Sequence, residues 1–182
     1  MRPLRVAVTG GIGAGKSEAL AAFARRGVPV LSSDEVVHRL IAEDDEVRAA
    51  LDERFGTTDR ARIAEIVFAD PTELEWLEGV LHPRAREVAD QWLASLESDH
   101  DVAVVEIPLL YETGGESRFD SVVVITASDE VRATRSPVQD RRAERLLPDE
   151  EKVRRADFAY VNDGTLEELD AFVASVLERL RR

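Results

Sequence analysis

Apolar and polar positions alternate along this chain in two rhythms. Short apolar runs recur at residues 4–8, 28–31, 102–107, 121–127 and, less strongly, 158–161, set off by turn formers such as Gly27, Asp101, Pro108, Asp120 and Asn162. The runs at 102–107 and 121–127 are apolar at nearly every position, as in strands of a parallel sheet covered on both faces. Between the runs, apolar residues return every third or fourth position and predict helices. Residues 16–26 carry Leu20, Phe23 and Ala24 on one side and stop at Gly27, and Ser32 or Ser33 caps a helix that reaches about residue 42. Polar-rich helices follow at about 46–55 and 60–68. Asp70, with Pro71 in the first helical position, then opens a helical pattern to about residue 96, interrupted at His82-Pro83. Thr165 caps the last helix, whose stripe is Leu166, Leu169, Phe172, Val173, Val176, Leu177 and Leu180.

This order predicts an α/β protein that opens with a βαβ unit: a three-layer α/β/α sandwich on a five-stranded parallel sheet. The helices between the second and third strands form a helical insertion at about residues 43–99. The core then comprises about 1–42 and 100–182. A chain of 182 residues suits one such domain better than two. It holds no repeat, low-complexity tract or long linker, and its most irregular stretch is 135–140.

Between the first strand and the first helix stands Gly-Gly-Ile-Gly-Ala-Gly-Lys-Ser, residues 10–17, which satisfies the phosphate-loop pattern G-x-x-x-x-G-K-[ST]. A loop that wraps a polyphosphate needs positive φ angles and close backbone approach, which glycine permits. Gly11, Ile12, Gly13, Ala14, Gly15, Lys16, Ser17 and Glu18 are therefore the expected ATP contacts. Lys16 would reach the β- and γ-phosphates, and the Ser17 hydroxyl would ligate Mg²⁺ at the helix N-terminus. Lys16 and Lys152 are the only lysines among 24 basic residues, so a compact ammonium is kept where one must fit between phosphates.

Charge and composition narrow the function classes. A net charge of −13 argues against nonspecific binding to nucleic acid or anionic membranes. Zero cysteines exclude disulfides and cysteine-based zinc or redox chemistry, which suits a cytoplasmic protein. No apolar run approaches the ~18 residues of a membrane span, and the first strand begins too early for a secretory signal. Within this acidic chain, Arg132, Arg135, Arg141, Arg142 and Arg145 face only Asp140 and Glu144, a basic island that reads either as a solvated helix face or as a phosphate cover.

Further positions are candidates for chemistry. Asp34 lies three residues past Leu31, at the carboxyl edge where doubly wound sheets bind ligands, and reads equally as a base, a water-mediated Mg²⁺ holder or a helix N-terminal charge. Glu106 ends the third strand, as a carboxylate near Mg²⁺ or a satisfied strand-end group. His82 and Arg86, four apart, share a face if the helix restarts after Pro83 and with Arg84 could meet an anionic acceptor; otherwise His82 is a helix-breaking cap. Tyr111 and Trp92 are candidates for a pocket, with core packing favoured for Trp92.

The chain resembles the dephospho-coenzyme A kinase family, phosphate-loop kinases of the nucleoside-monophosphate-kinase-like type. The resemblance rests on Val8-Thr9-Gly10-Gly11-Ile12-Gly13-Ala14-Gly15-Lys16-Ser17, Ser33-Asp34-Glu35, His82-Pro83 with Arg86, Ile107-Pro108-Leu109-Leu110-Tyr111-Glu112, the run from Glu150 to Asp157, and Asn162-Asp163-Gly164-Thr165-Leu166. It implies transfer of the ATP γ-phosphoryl, with Mg²⁺, to the ribose 3′-hydroxyl of dephospho-coenzyme A, the last step of coenzyme A synthesis. By position, Asp34 is the implied base, and His82, Arg86, Leu109 and Tyr111 face the acceptor. A lid over ATP spans about 132–147 and supplies Arg135 and Arg142, and Asn162 and Gly164 lie near the adenine. The implied partner is this small molecule alone, with no nucleic acid or membrane, acting on a monomer or weak homo-oligomer. The chain departs from the family pattern at Ser32 and Glu106, each usually Asp, at Leu146, usually Gln, and in a lid several residues shorter. Rival readings are another small-molecule or nucleoside kinase on this scaffold, a catalytically reduced binding protein, and a GTPase-type switch, for which the N-K-x-D signature is missing.

Overall fold

A computed structural model of the chain describes residues 2–96, 100–135 and 146–182. Its strands are β1 (Leu4–Gly10), β2 (Val30–Ser32), β3 (Val102–Glu106), β4 (Ser121–Thr126) and β5 (Phe158–Val161). The helices are α1 (Lys16–Ala24), α2 (Ser33–Glu43), α3 (Asp45–Phe55), α4 (Arg60–Ala69), α5 (Pro71–Ser95), α6 (Asp129–Arg135), α7 (Asp149–Arg155) and α8 (Leu166–Leu180). All strands pair in parallel, in the order β2-β3-β1-β4-β5. The chain divides into two compact units. One carries the sheet with α1 and α6–α8; the other is the helical segment Ser33–Ser95.

The sheet is sorted by strand alternation. Val6 and Val8 of β1, with Val123 and Ile125 of β4, meet Phe23 of α1 and Leu169, Val173 and Val176 of α8 on one face. Ala7, Val122 and Val124 point the other way and pack with Leu110 and Tyr111. Every residue of β3 and β4 is buried, which explains their unbroken apolar runs, whereas edge strand β5 alternates half-buried and exposed positions. Arg25 and Arg26, just past α1, reach Asp170 of α8 at 2.5 and 3.3 Å and tie the two covering helices together. At the start of α8 the Thr165 hydroxyl accepts from the Glu168 amide at 3.3 Å, while the Thr165 amide donates to the Glu168 carboxylate at 2.8 Å, a complete capping box. The expected stripe is shorter by one residue: Leu166 precedes the buried cluster, which starts at Leu169, and is 57% exposed.

In the helical unit, α2 packs on α3 and α5, and α4 on α5. The unit begins at Ser33, ten residues before the expected insertion boundary, because the apolar side of α2, Val36, Leu40 and Ile41, is buried within a segment that closes on itself. Asp44 and Asp59 cap α3 and α4 by accepting from the amides of Val47 and Arg62 at 2.9 and 3.0 Å. The expected interruption at His82-Pro83 does not occur. Helix α5 runs unbroken through Pro83, which withholds an amide from the carbonyl of Gly79 one turn earlier. Trp92 is only half-buried rather than a core residue. Among the described residues no helix is long and apolar enough to cross a membrane.

Candidate active site

The phosphate loop leaves β1 between β3 and β4, the two strands that flank it. Gly10 has φ 148°, and a Cβ there would collide with the Ile125 carbonyl of β4, so the chain turns out of the sheet where only glycine fits. Gly15, at φ 93°, is the N-cap of α1 and offers no side-chain cap, which leaves the first amides of the helix to an anion. Lys16 folds back over the loop, its ammonium donating to the Gly11 carbonyl at 3.0 Å. Ser17 and Glu18 lie exposed in the first turn of α1.

Two elements far along the chain close on this loop. From α6, Arg132 donates through Nε to the Ala127 carbonyl at 2.8 Å, pairs with Asp149 of α7, and lies so close to Gly11 that a Cβ there would stand 2.7 Å from a guanidinium nitrogen. Arg135, on the next turn, brings its guanidinium to the Gly15 side. From the end of β5, Asn162 is 4% exposed and donates its side-chain amide to the Ala14 carbonyl at 2.9 Å. Lys16, Arg132, Arg135 and Asn162 therefore converge on six residues of backbone. Arg142 lies outside the described residues.

At the carboxyl edge of the sheet, Glu106 is buried and its carboxylate accepts from the Ser32 hydroxyl at 3.1 Å. Register pairs Glu106 with both Ser32 of β2 and Val8 of β1. The two departures from the family pattern thus touch each other. The Ser32 hydroxyl faces the Glu106 carboxylate and donates to it.

Several expected acceptor residues are placed differently. Tyr111 is 5% exposed in the core beneath the sheet, with the Arg155 guanidinium 4.3 Å over its ring, and burial raises the pKa of its hydroxyl. Leu109 belongs to the turn after β3, its carbonyl accepting from Thr113. Glu112, which follows Tyr111, forms a 2.8 Å ion pair with Lys152 of α7, whose side chain is 0% exposed, and accepts from the Leu147 amide at 2.9 Å. The Pro-Leu-Leu-Tyr-Glu run therefore anchors α7. Gly164 sits under the capping box, where a Cβ would collide with the Glu168 carboxylate. Asp34 is exposed in the first turn of α2. His82 and Arg86 stand one turn apart on α5, where the Arg86 Nε donates to the His82 carbonyl at 3.3 Å. Arg84 is held by Asp44, Glu46 and Glu87 at 3.3, 2.9 and 3.2 Å and so cross-links α5 to the start of α3.

Sequence reasoning missed Asp149 and the Lys152–Glu112 pair, and named Arg132 only as one arginine of the basic island. A signal existed for one of them. Lys152 is the second of two lysines in an arginine-rich chain, and its buried side chain is paired with Glu112, which is 11% exposed.

A parallel sheet of order β2-β3-β1-β4-β5, a glycine-rich loop opening onto an uncapped helix with lysine and serine, and a helical unit after β2 define a phosphate-loop kinase of small molecules. A family model described as dephospho-CoA kinase matches residues 4–168. The chain is 39% identical to a dephospho-CoA kinase of Rhodopseudomonas palustris, over 96% of this chain and 94% of that one. It is 40% identical to one of Mesorhizobium japonicum, over 96% and 95%. The solved structure of TT1252 from Thermus thermophilus superposes with a TM-score of 0.81 at 33% identity and 99% coverage of both chains. The chain belongs to the dephospho-CoA kinase family.

Proposed function

We propose that this chain transfers the γ-phosphoryl group of ATP to the ribose 3′-hydroxyl of dephospho-coenzyme A, giving coenzyme A and ADP. The observation that carries the reading is the phosphate loop, shaped by Gly10 and Gly15 and faced by Lys16, Arg132 and Arg135, in a chain matched by the family model over residues 4–168.

Phosphoryl transfer asks the protein for position and charge more than for covalent chemistry. The loop amides and the N-terminus of α1 bind the polyphosphate, and Lys16 follows the γ-phosphoryl as charge develops on its oxygens. Asp34 accepts the proton of the 3′-hydroxyl while its oxygen bonds to the γ-phosphorus and the bond to the ADP oxygen breaks. His82 and Arg86 bind the anionic acceptor. Among the described residues there is no cluster of three metal-ligating side chains. Mg²⁺ takes one or two protein groups and completes its shell with phosphates and water. The Ser17 hydroxyl would hold it, and its charge would neutralise the phosphate oxygens.

The test is ATP consumption by the purified chain across a panel of acceptors. Turnover with dephospho-coenzyme A well above that with adenosine, cytidine and nucleoside monophosphates is expected. A chain inert toward dephospho-coenzyme A but active on a nucleoside would overturn the reading.

A further inference from the structure

We infer that Asn162 is a positioning residue that sets the shape of the phosphate loop, acting on the triphosphate through Ala14 and Gly15 rather than on the adenine. The inference rests on the kinase reading above only in taking the loop as the phosphate site.

Three observations converge on it. The first is burial: Asn162 is 4% exposed, so its side chain faces protein and not a bound base. The second is the bond itself. The Asn162 Nδ2 donates to the Ala14 carbonyl at 2.9 Å across 148 residues of chain. A buried polar group is retained where its partner needs it, because loss of the donor would strand that carbonyl at a cost well above the net gain of an ordinary hydrogen bond. The third is volume. The same nitrogen occupies the space a Cβ on Gly15 would need, so the residue with φ 93° and the residue clasping it are fitted to each other.

Asn162 is itself fixed by the sheet. Its backbone amide donates to the Thr126 carbonyl at 2.7 Å at the end of β4, and the neighbouring Asp163 carboxylate accepts from the Ser128 amide at 2.8 Å. The loop is thus held from two sides: Gly10 lies against the Ile125 carbonyl, and the Ala14 carbonyl is bound by Asn162. Because a trans peptide unit directs its N–H opposite its C=O, holding the Ala14 carbonyl on Asn162 turns the Gly15 N–H to the other side, as a nest of anion-binding amides requires. A base contact and a loop clasp then differ in what they discriminate. A base contact distinguishes ATP from GTP, whereas a clasp affects every ligand that presents phosphates.

The experiment measures binding of ATP, GTP and inorganic tripolyphosphate to the wild-type chain and to Asn162→Ala, together with KM for ATP and for dephospho-coenzyme A. Expected for N162A is a loss of about tenfold in affinity, shared equally by ATP, GTP and tripolyphosphate, as for one lost hydrogen bond to a positioned group. KM for dephospho-coenzyme A should stay within about twofold. Asn162→Asp keeps the shape and removes the donor, so it serves if N162A does not fold, and should lose tripolyphosphate affinity to at least the same degree. An altered ATP-to-GTP ratio with unchanged tripolyphosphate binding would overturn the inference, as would wild-type tripolyphosphate affinity in either variant. Because tripolyphosphate binding needs no acceptor, a failed clasp and a wrong substrate give different results.

Discussion

The two units of this protein place their functional groups by different means. In the sheet unit, Lys16, Arg132 and Asn162 are each held by a backbone carbonyl, those of Gly11, Ala127 and Ala14, while Arg135 reaches the Gly15 side from the exposed end of α6. In the helical unit, Asp34 and Arg86 stand exposed on helix surfaces, on a scaffold held by Asp caps and by surface pairs such as Arg54–Glu73. The lesson is a division of tolerance. Under the proposed function, phosphates, common to every nucleotide, meet a rigid cradle, while the acceptor, which must be selected and released, meets exposed side chains.

That contrast can be broken most directly at Lys16. Lys16→Ala should lower turnover by about two to three orders of magnitude and weaken ATP binding, both read by steady-state kinetics. Retained turnover would mean that the cradle is ornamental. On the other unit, Asp34→Asn should lower kcat by about a hundredfold or more with ATP binding intact, as expected for loss of a general base. If kcat is unchanged, Asp34 is only a helix N-terminal charge.

The buried Lys152–Glu112 pair sharpens the comparison through stability. Lys152→Met strands Glu112 and should cost about 3–5 kcal/mol in chemical denaturation, whereas Lys152→Met with Glu112→Leu should recover most of it. A double variant no better than the single one would show that the pair is not the source. In the helical unit, Arg86→Ala should raise KM for dephospho-coenzyme A by about tenfold and leave KM for ATP alone. Equal changes in both would erase the division of labour.

The smallest effect belongs to the exposed tie between α1 and α8. Asp170 has a pKa held below the usual carboxylate range by its hydrogen bond to Arg25 and then by that to Arg26. A depressed folded pKa adds stability at pH above the ordinary carboxylate value of about 3.9 and loses it as pH falls through the folded value. Asp170→Asn should therefore melt slightly lower than wild type at pH 7, with the gap closing only in acid. Thermal unfolding at both pH values checks it.

Much of the fold was legible because its signals are local. Continuous apolar runs marked β3 and β4, and Thr165, Asp70 and the glycines of the loop marked helix starts and turns. Helix α5 misled because a proline at position 83 breaks a helix by local rules, while burial of Leu77, Leu81, Ala89 and Leu93 along one side carries it through. Within the site, the loop could be read from spacing, but the groups that brace it could not. Arg132, Asp149 and Asn162 acquire their roles only when strands distant in sequence are brought side by side, and Tyr111 looks like a pocket residue until Arg155 of α7 lies over its ring. Local sequence carries no record of those neighbours.

The bond between Ala14 and Asn162 also orders events in time. Ribosomal synthesis delivers the loop 148 residues before its clasp. The strand that bears the clasp, β5, joins the sheet at its edge and pairs with β4 alone. Contacts of such long sequence separation form late and slowly. A nascent chain that already exposes Gly-Ala-Gly-Lys-Ser would therefore hold nucleotide weakly until its last strand docks, so the onset of ATP binding reports completion of the sheet.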